Sequence, residues 1–272
     1  MTFNERLRQT CRRKNSYLAI GLDPDMDRLP GFLMDFESPL LEFNKSIINA
    51  TSDLVCAYKL NTAFYEHFGV QGWRALRKTI ELIPEDTLTI IDGKRGDIGN
   101  SSEKYARMAF AELNGDAATV NPYMGYDSVE PFLKEESRGA FILCLTTNPG
   151  AEDFQYLKMG DRTLFEHVAQ RAVAWNRKGN VGLVVGATRS DEFRTIRAIA
   201  PELPFLVPGV GAQGGDLERA VLGAADKNGE GFVISVSRGI LYVSDDLDFA
   251  QASREKTEEF RNRINKIRAK NG

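Results

Sequence analysis

Eight short runs of apolar and β-branched residues recur along the 272-residue chain, each followed by a longer stretch with helical spacing. The runs fall at 17–22, 54–60, 87–93, 117–121, 140–146, 181–186, 204–208 and 231–236. They are almost continuously hydrophobic, as parallel strands covered on both faces are. Between them lie Leu164, Phe165, Val168, Ala172 and Val173, and again Tyr65, Phe68, Trp73, Leu76 and Ile80, at the spacing of one buried helix face. Strand-then-helix repetition without a Pro/Gly/Ser-rich linker favours an α/β chain folded as a single (β/α)8 TIM barrel over residues 1–272. Such barrels typically occupy about 250 residues. An open doubly wound sheet is the alternative that the pattern leaves open.

Composition removes several function classes. The formal net charge is −3 and no long block of one sign occurs, so charge does not suggest a nucleic-acid surface. Arg12-Arg13-Lys14 and the basic residues of the last helix read as solvated helix faces. Cys11, Cys56 and Cys144 show no metal-ligand spacing and read as reduced thiols of a cytoplasmic protein. Thr2-Phe3-Asn4-Glu5 has the form of a capping box opening an amphipathic helix, not of a signal peptide. No apolar run approaches the length of a membrane span.

Chemistry concentrates where the apolar runs stop. They end in Gly21-Leu22-Asp23-Pro24, Tyr58-Lys59-Leu60-Asn61, Asp92-Gly93-Lys94-Arg95-Gly96-Asp97, Asn121-Pro122-Tyr123, Thr146-Thr147-Asn148-Pro149-Gly150, Gly186-Ala187-Thr188, Pro208-Gly209-Val210-Gly211 and Ser237-Arg238-Gly239. Barrel enzymes build their sites at this C-terminal face. Turn formation accounts for the glycines and prolines. It does not account for Asp23, Lys59, Asp92, Lys94 and Asp97 emerging from apolar strands. In the third run the period of two puts Ile90, Asp92 and Lys94 on one face. Buried charges persist chiefly when paired, and Lys59 on the neighbouring strand can extend the pairing. A salt-bridge network that merely closes the barrel top explains these charges equally well.

The stretch after the seventh run, Gly209-Val210-Gly211-Ala212-Gln213-Gly214, matches G-x-G-x-x-G between a strand and a helix. Alone it suggests a dinucleotide site. The next run, however, finishes in Ser237-Arg238, with no acidic ribose ligand. A phosphate cradle built by the last two strand–loop units, with backbone N–H groups and Arg238, suits a barrel better.

At these residues the chain resembles the orotidine 5′-phosphate decarboxylase family, in its longer bacterial subgroup. The shared elements are Gly21-Leu22-Asp23-Pro24, Lys59, Asp92-x-Lys94-x-x-Asp97-Ile98, the run from Pro208 to Asp216, and Ser237-Arg238-Gly239, which together span nearly the whole chain. The resemblance implies conversion of orotidine 5′-phosphate to uridine 5′-phosphate and CO2 without a cofactor or metal. It implies that Asp23 and Lys59 contact the ribose, and that Asp92, Lys94 and Asp97 surround the scissile carboxylate. Asp97 would cross a homodimer interface, with Ser101 accompanying it to the ribose. Thr147 would meet the pyrimidine, Gln213 would bridge base and phosphate, and Pro208, Gly214 and Ser237 would complete the substrate's surroundings with Arg238 on the phosphate. The loops 25–39 and 148–160 are long, and the second is expected to form part of a lid.

Two other readings compete. Metal-dependent sugar-phosphate decarboxylases or aldolases of the same superfamily share D-x-K-x-x-D, but carry a carboxylate near the end of strand 2, where this chain has Lys59. A non-catalytic barrel that binds a phosphorylated ligand would keep Arg238 and the glycine loop but would not need Lys94 between two aspartates.

Overall fold

Each apolar run becomes one strand of a closed parallel barrel. In the computed structural model, which describes residues 1–189, 191–211 and 216–270, the strands are β1 (Leu18–Gly21), β2 (Ala57–Asn61), β3 (Leu88–Arg95), β4 (Ala117–Val120), β5 (Gly139–Leu145), β6 (Val181–Val185), β7 (Phe205–Pro208) and β8 (Phe232–Val236). They pair in chain order, and β8 returns to β1 with Ile20 opposite Val236. The fold is the (β/α)8 barrel, and the open sheet is ruled out by this closure. β3 runs two residues past its expected end, which carries Lys94 and Arg95 into the sheet.

Alternation along β2 shows how sequence sets direction. Tyr58 points outward, its hydroxyl 2.7 Å from that of Thr51 on the helix Pro39–Thr51. Lys59, one residue later, therefore points into the barrel.

The opposite end of the barrel is plugged by α1 (Phe3–Lys14), which Thr2 and Glu5 open with the expected capping box. Phe3 is fully buried, edge-on to Phe141 at 5.8 Å. The basic stretch of α1 is not merely a solvated face. Arg12 grips the Glu230 carboxylate at 2.7 and 2.8 Å, Arg13 donates to the Asp86 carbonyl at 2.7 Å, and Lys14 pairs with the Asp86 carboxylate at 2.6 Å. Arg6 and Arg8 pair with Asp116 and Asp226, each at 2.6 Å. The segments leading into strands present these carboxylates and carbonyls, so cations on α1 strap it across the barrel bottom. The last helix, Phe249–Arg268, is similarly tied by Arg254 to Asp53.

Two helical patterns differ from expectation. Helix Leu164–Trp175 buries Phe165, Ala169 and Ala172, while Val173 lies one position round the helix and faces solvent. The run from Tyr65 to Ile80 is two helices, Ala63–Glu66 and Gly69–Glu81. The break falls at Gly69, whose φ of +59° ordinary side chains rarely adopt. The short first helix leaves Tyr65 at the barrel mouth, where its hydroxyl donates to the Leu22 carbonyl at 2.8 Å and accepts from Asn44 at 2.9 Å. Among the described residues no helix is long and apolar enough to cross a membrane.

Candidate active site

The C-terminal strand ends surround a cavity of about 620 Å³. Asp23, Lys59, Asp92, Lys94, Thr147, Pro208, Ser237 and Arg238 line it, bringing together residues far apart in the chain. Gln213 and Gly214 lie outside the described residues. Asp97 and Ser101 do not line this cavity: Ser101 is exposed, and the Asp97 carboxylate accepts from the Ile98 N–H at 2.8 Å.

A row of alternating charges crosses the cavity floor from β1 to β3. Lys59 Nζ lies 2.8 Å from Asp92 Oδ2 and 3.4 Å from Asp23 Oδ2. Lys94 Nζ lies 2.7 Å from the other Asp92 oxygen, Oδ1. Asp23 is fixed in turn by the Asn61 N–H at 3.0 Å and the Ser237 hydroxyl at 2.7 Å. The close approach of β1 and β8 that permits this last bond needs Gly21, because a Cβ there would fall 1.9 Å from Ser237 Oγ.

Burial and pairing act against each other along the row. Burial alone disfavours the Lys59 ammonium, but Asp23 and Asp92 outweigh it and raise its pKa. Burial likewise favours protonated Asp92, yet Lys59 and Lys94 outweigh it and hold the carboxyl well below the usual carboxylate range. Lys59 and Asp92 are almost inaccessible, whereas the Lys94 side chain is 45% exposed and faces the open cavity. Lys59 and Asp92 are thus held at the back of the cavity, and Lys94 is presented to whatever fills it.

The backbone at Lys94 is unusual. Its φ is +45°, a left-handed conformation that typically costs a non-glycine residue about 1–3 kcal/mol. The β3–β4 pairing is irregular there: Ile91 faces Ala118 and Arg95 faces Val120, so four steps on β3 match two on β4. Asp92 and Lys94 share the inward face, as alternation predicts, but a bulge and not a regular pleat brings the ammonium back onto Asp92.

Sequence reasoning missed several contributors. Asn61 holds Asp23 through its backbone N–H, which its residue type does not signal. Thr119 holds Asp92 and Lys94 through a hydroxyl that in sequence is only one threonine in an apolar run. Tyr242 supports Asp23 from beyond β8: its hydroxyl donates to the Asp23 carbonyl at 3.3 Å and accepts the Asp25 N–H at 2.7 Å. Arg28 stacks on the Tyr242 ring at 4.0 Å, which ties loop 25–39 to the cavity wall. Loop 148–160 contains a 3-10 turn, Pro149–Asp153, and begins a small hairpin between Lys158–Met159 and Arg162–Thr163. Gln155 fastens it to the end of β5, accepting from the Thr146 N–H and donating to its hydroxyl, both at 2.8 Å.

A parallel barrel whose C-terminal mouth holds a paired Asp–Lys row, with Arg238 and the start of a glycine loop on the same wall, defines a phosphate-ligand enzyme of the TIM-barrel class. The profile of the orotidine 5′-phosphate decarboxylase / HUMPS family matches residues 16–252. The orotidine 5′-phosphate decarboxylase of Dehalococcoides mccartyi is 50% identical over 98% of this chain and 99% of its own. That of Herpetosiphon aurantiacus is 50% identical over 95% and 96%. Among solved structures, Leishmania donovani OMP decarboxylase superposes with a TM-score of 0.88 at 40% identity, covering 99% of this chain and all of its own. The chain belongs to the orotidine 5′-phosphate decarboxylase / HUMPS family.

Asp92 carries a stability prediction. Asp92→Asn leaves buried Lys59 with Asp23 alone and should cost about 3–5 kcal/mol at pH 7, read by urea denaturation. Because its folded pKa is depressed, the Asp92 contribution is present above the ordinary carboxylate value of about 3.9 and is lost as pH falls towards the lower folded value. The gap between wild type and variant should therefore narrow below about pH 4. A gap under about 1 kcal/mol at pH 7 would show that the row is not held by Asp92.

Proposed function

We propose that this chain decarboxylates orotidine 5′-phosphate to uridine 5′-phosphate, a step of pyrimidine nucleotide synthesis, using no metal or organic cofactor. One observation carries the reading: an exposed Lys94 ammonium held 2.7 Å from a buried, doubly paired carboxylate at the cavity floor. When the bond from C6 to the carboxylate breaks, CO2 departs and the electron pair stays on C6, in the ring plane and poorly conjugated with the carbonyl π system. Lys94 stabilises that charge, donates a proton to C6, and is reprotonated by water. At ~4 Å and an effective dielectric of ~20, one such pair is worth about 4 kcal/mol. Enzymes lower barriers by roughly 8–23 kcal/mol, so Lys94 works within a site that also orients the ring. Arg238 and the glycine loop supply that orientation by binding the phosphate, Asp23 and Lys59 meet the ribose, and Thr147, Pro208 and Ser237 line the remaining walls. Gln213 and Gly214 are assigned to base and phosphate on the resemblance alone.

The pairing also weighs against the metal-dependent relatives. Of the carboxylates lining the cavity, Asp23 and Asp92 are both already bonded to the Lys59 ammonium, which would repel a cation. Turnover should persist in excess EDTA, followed by loss of orotidine 5′-phosphate absorbance, and should become undetectable with the phosphate-free nucleoside. Activity that returns only on adding magnesium would contradict the reading.

The functional unit in this reading is a cytoplasmic homodimer with Asp97 and Ser101 contributed to the partner's site. Three buried free thiols suit a reducing compartment. Exposed Ile98, Tyr123 and Met124 offer apolar surface beside Asp97, with Met124 reaching against Gly96. Mixing inactive Lys94→Ala and Asp97→Ala subunits should restore activity, because one composite site per mixed dimer is then intact. No recovery despite demonstrated subunit exchange would mean that each chain builds its site alone.

A further inference from the structure

Lys94 sits in a backbone conformation that its own side chain does not favour, and the structure shows one side chain fastening it there. Thr119 lies on β4, 1% exposed, at the point where the β3–β4 pairing is interrupted. Its hydroxyl accepts the Lys94 backbone N–H at 2.9 Å and donates to Asp92 Oδ1 at 2.8 Å. That oxygen also receives the Lys94 ammonium. A closed ring results: Lys94 N–H to Thr119 Oγ1, Thr119 O–H to Asp92 Oδ1, and Asp92 Oδ1 to Lys94 Nζ.

We infer that Thr119 is a positioning residue for the decarboxylation, holding the left-handed turn of Lys94 and the rotamer of Asp92 together so that the ammonium is fixed against the cavity. The inference rests on the proposed function for its kinetic consequence, but the geometry stands apart from it. A hydroxyl is required because one atom, on a side chain that is almost fully buried, must both accept and donate. Valine has the shape of threonine but can do neither, leaving the Lys94 N–H without its partner and Asp92 with only its two ammonium donors. Serine keeps both functions and loses only a methyl group. Thr119 lines the cavity floor, yet its hydroxyl is already committed to Asp92, so it acts through Lys94.

The test compares Thr119→Val and Thr119→Ser in the full-length enzyme. Thr119→Val should lower kcat roughly 10- to 100-fold, as a displaced reacting group does. KM and the affinity for uridine 5′-phosphate should stay within about threefold, since uniform binding is untouched. Thr119→Ser should recover most of kcat. Hydrogen–deuterium exchange supplies a readout independent of catalysis: the peptide containing the Lys94 amide should lose protection in the valine variant and retain it in the serine variant. Equal falls in kcat for both variants, or unchanged kcat and unchanged protection in Thr119→Val, would overturn the inference. A wild-type protein inert towards orotidine 5′-phosphate would overturn the proposed function instead, and the exchange comparison alone would then decide the role of Thr119.

Discussion

The Asp92 carboxylate, buried between two ammonium groups, is the interaction on which the architecture of the mouth depends. An isolated charge at this depth would neutralise; it survives because Lys59 and Lys94 face its two oxygens. That arrangement requires three consecutive strands in register, with Gly21 opposite Lys59 and Asn61 opposite Asp92. Pairing of these strands is thus a condition of the charge row, and barrel closure adds the Ser237 bond to Asp23. Buried ion pairs return little net stability once desolvation is counted, although breaking one is costly. What the row provides is position: one ammonium locked at the back, one held forward.

The two ends of the barrel divide the work. At the bottom, Phe3 fills the plug and the cations of α1 are satisfied by carboxylates and carbonyls leading into the strands. These contacts serve to close the barrel. At the mouth, a bulge and a left-handed lysine depart from regular strand geometry, beside a glycine that admits Ser237. Such departures are retained where the surrounding structure over-determines them, and they fall on residues to which the proposed reaction is assigned.

Much of this was readable from residue order. Continuous apolar runs ending in polar residues located all eight strands and their functional ends, and the period of two placed Asp92 and Lys94 together. The bulge was not readable, because Asp92-Gly93-Lys94 is compatible with a regular pleat until its pairing with β4 is known. Thr119 was hidden for a related reason: in Ala-Ala-Thr-Val a threonine is an ordinary β-branched strand residue, and only its position opposite the bulge makes its hydroxyl matter. Arg12 and Lys14 looked solvated because their partners, Glu230 and Asp86, are distant in sequence. Val173 looked buried because the helix face was drawn one residue too wide. Asp97 and Ser101 lie outside the cavity, and their assignment rests on the family resemblance.

The central claim is that the Lys94 ammonium, fixed by Asp92, supplies the proton to C6. Single-turnover decarboxylation by Lys94→Ala, measured beside uridine 5′-phosphate affinity and a thermal melt, addresses it most directly. The account predicts a folded variant that binds the product close to normally and shows no detectable CO2 release. Substrate affinity should fall further than product affinity, because Asp92 then faces the substrate carboxylate without its forward cation. A folded Lys94→Ala enzyme that turns over orotidine 5′-phosphate at a near-normal rate would contradict the account.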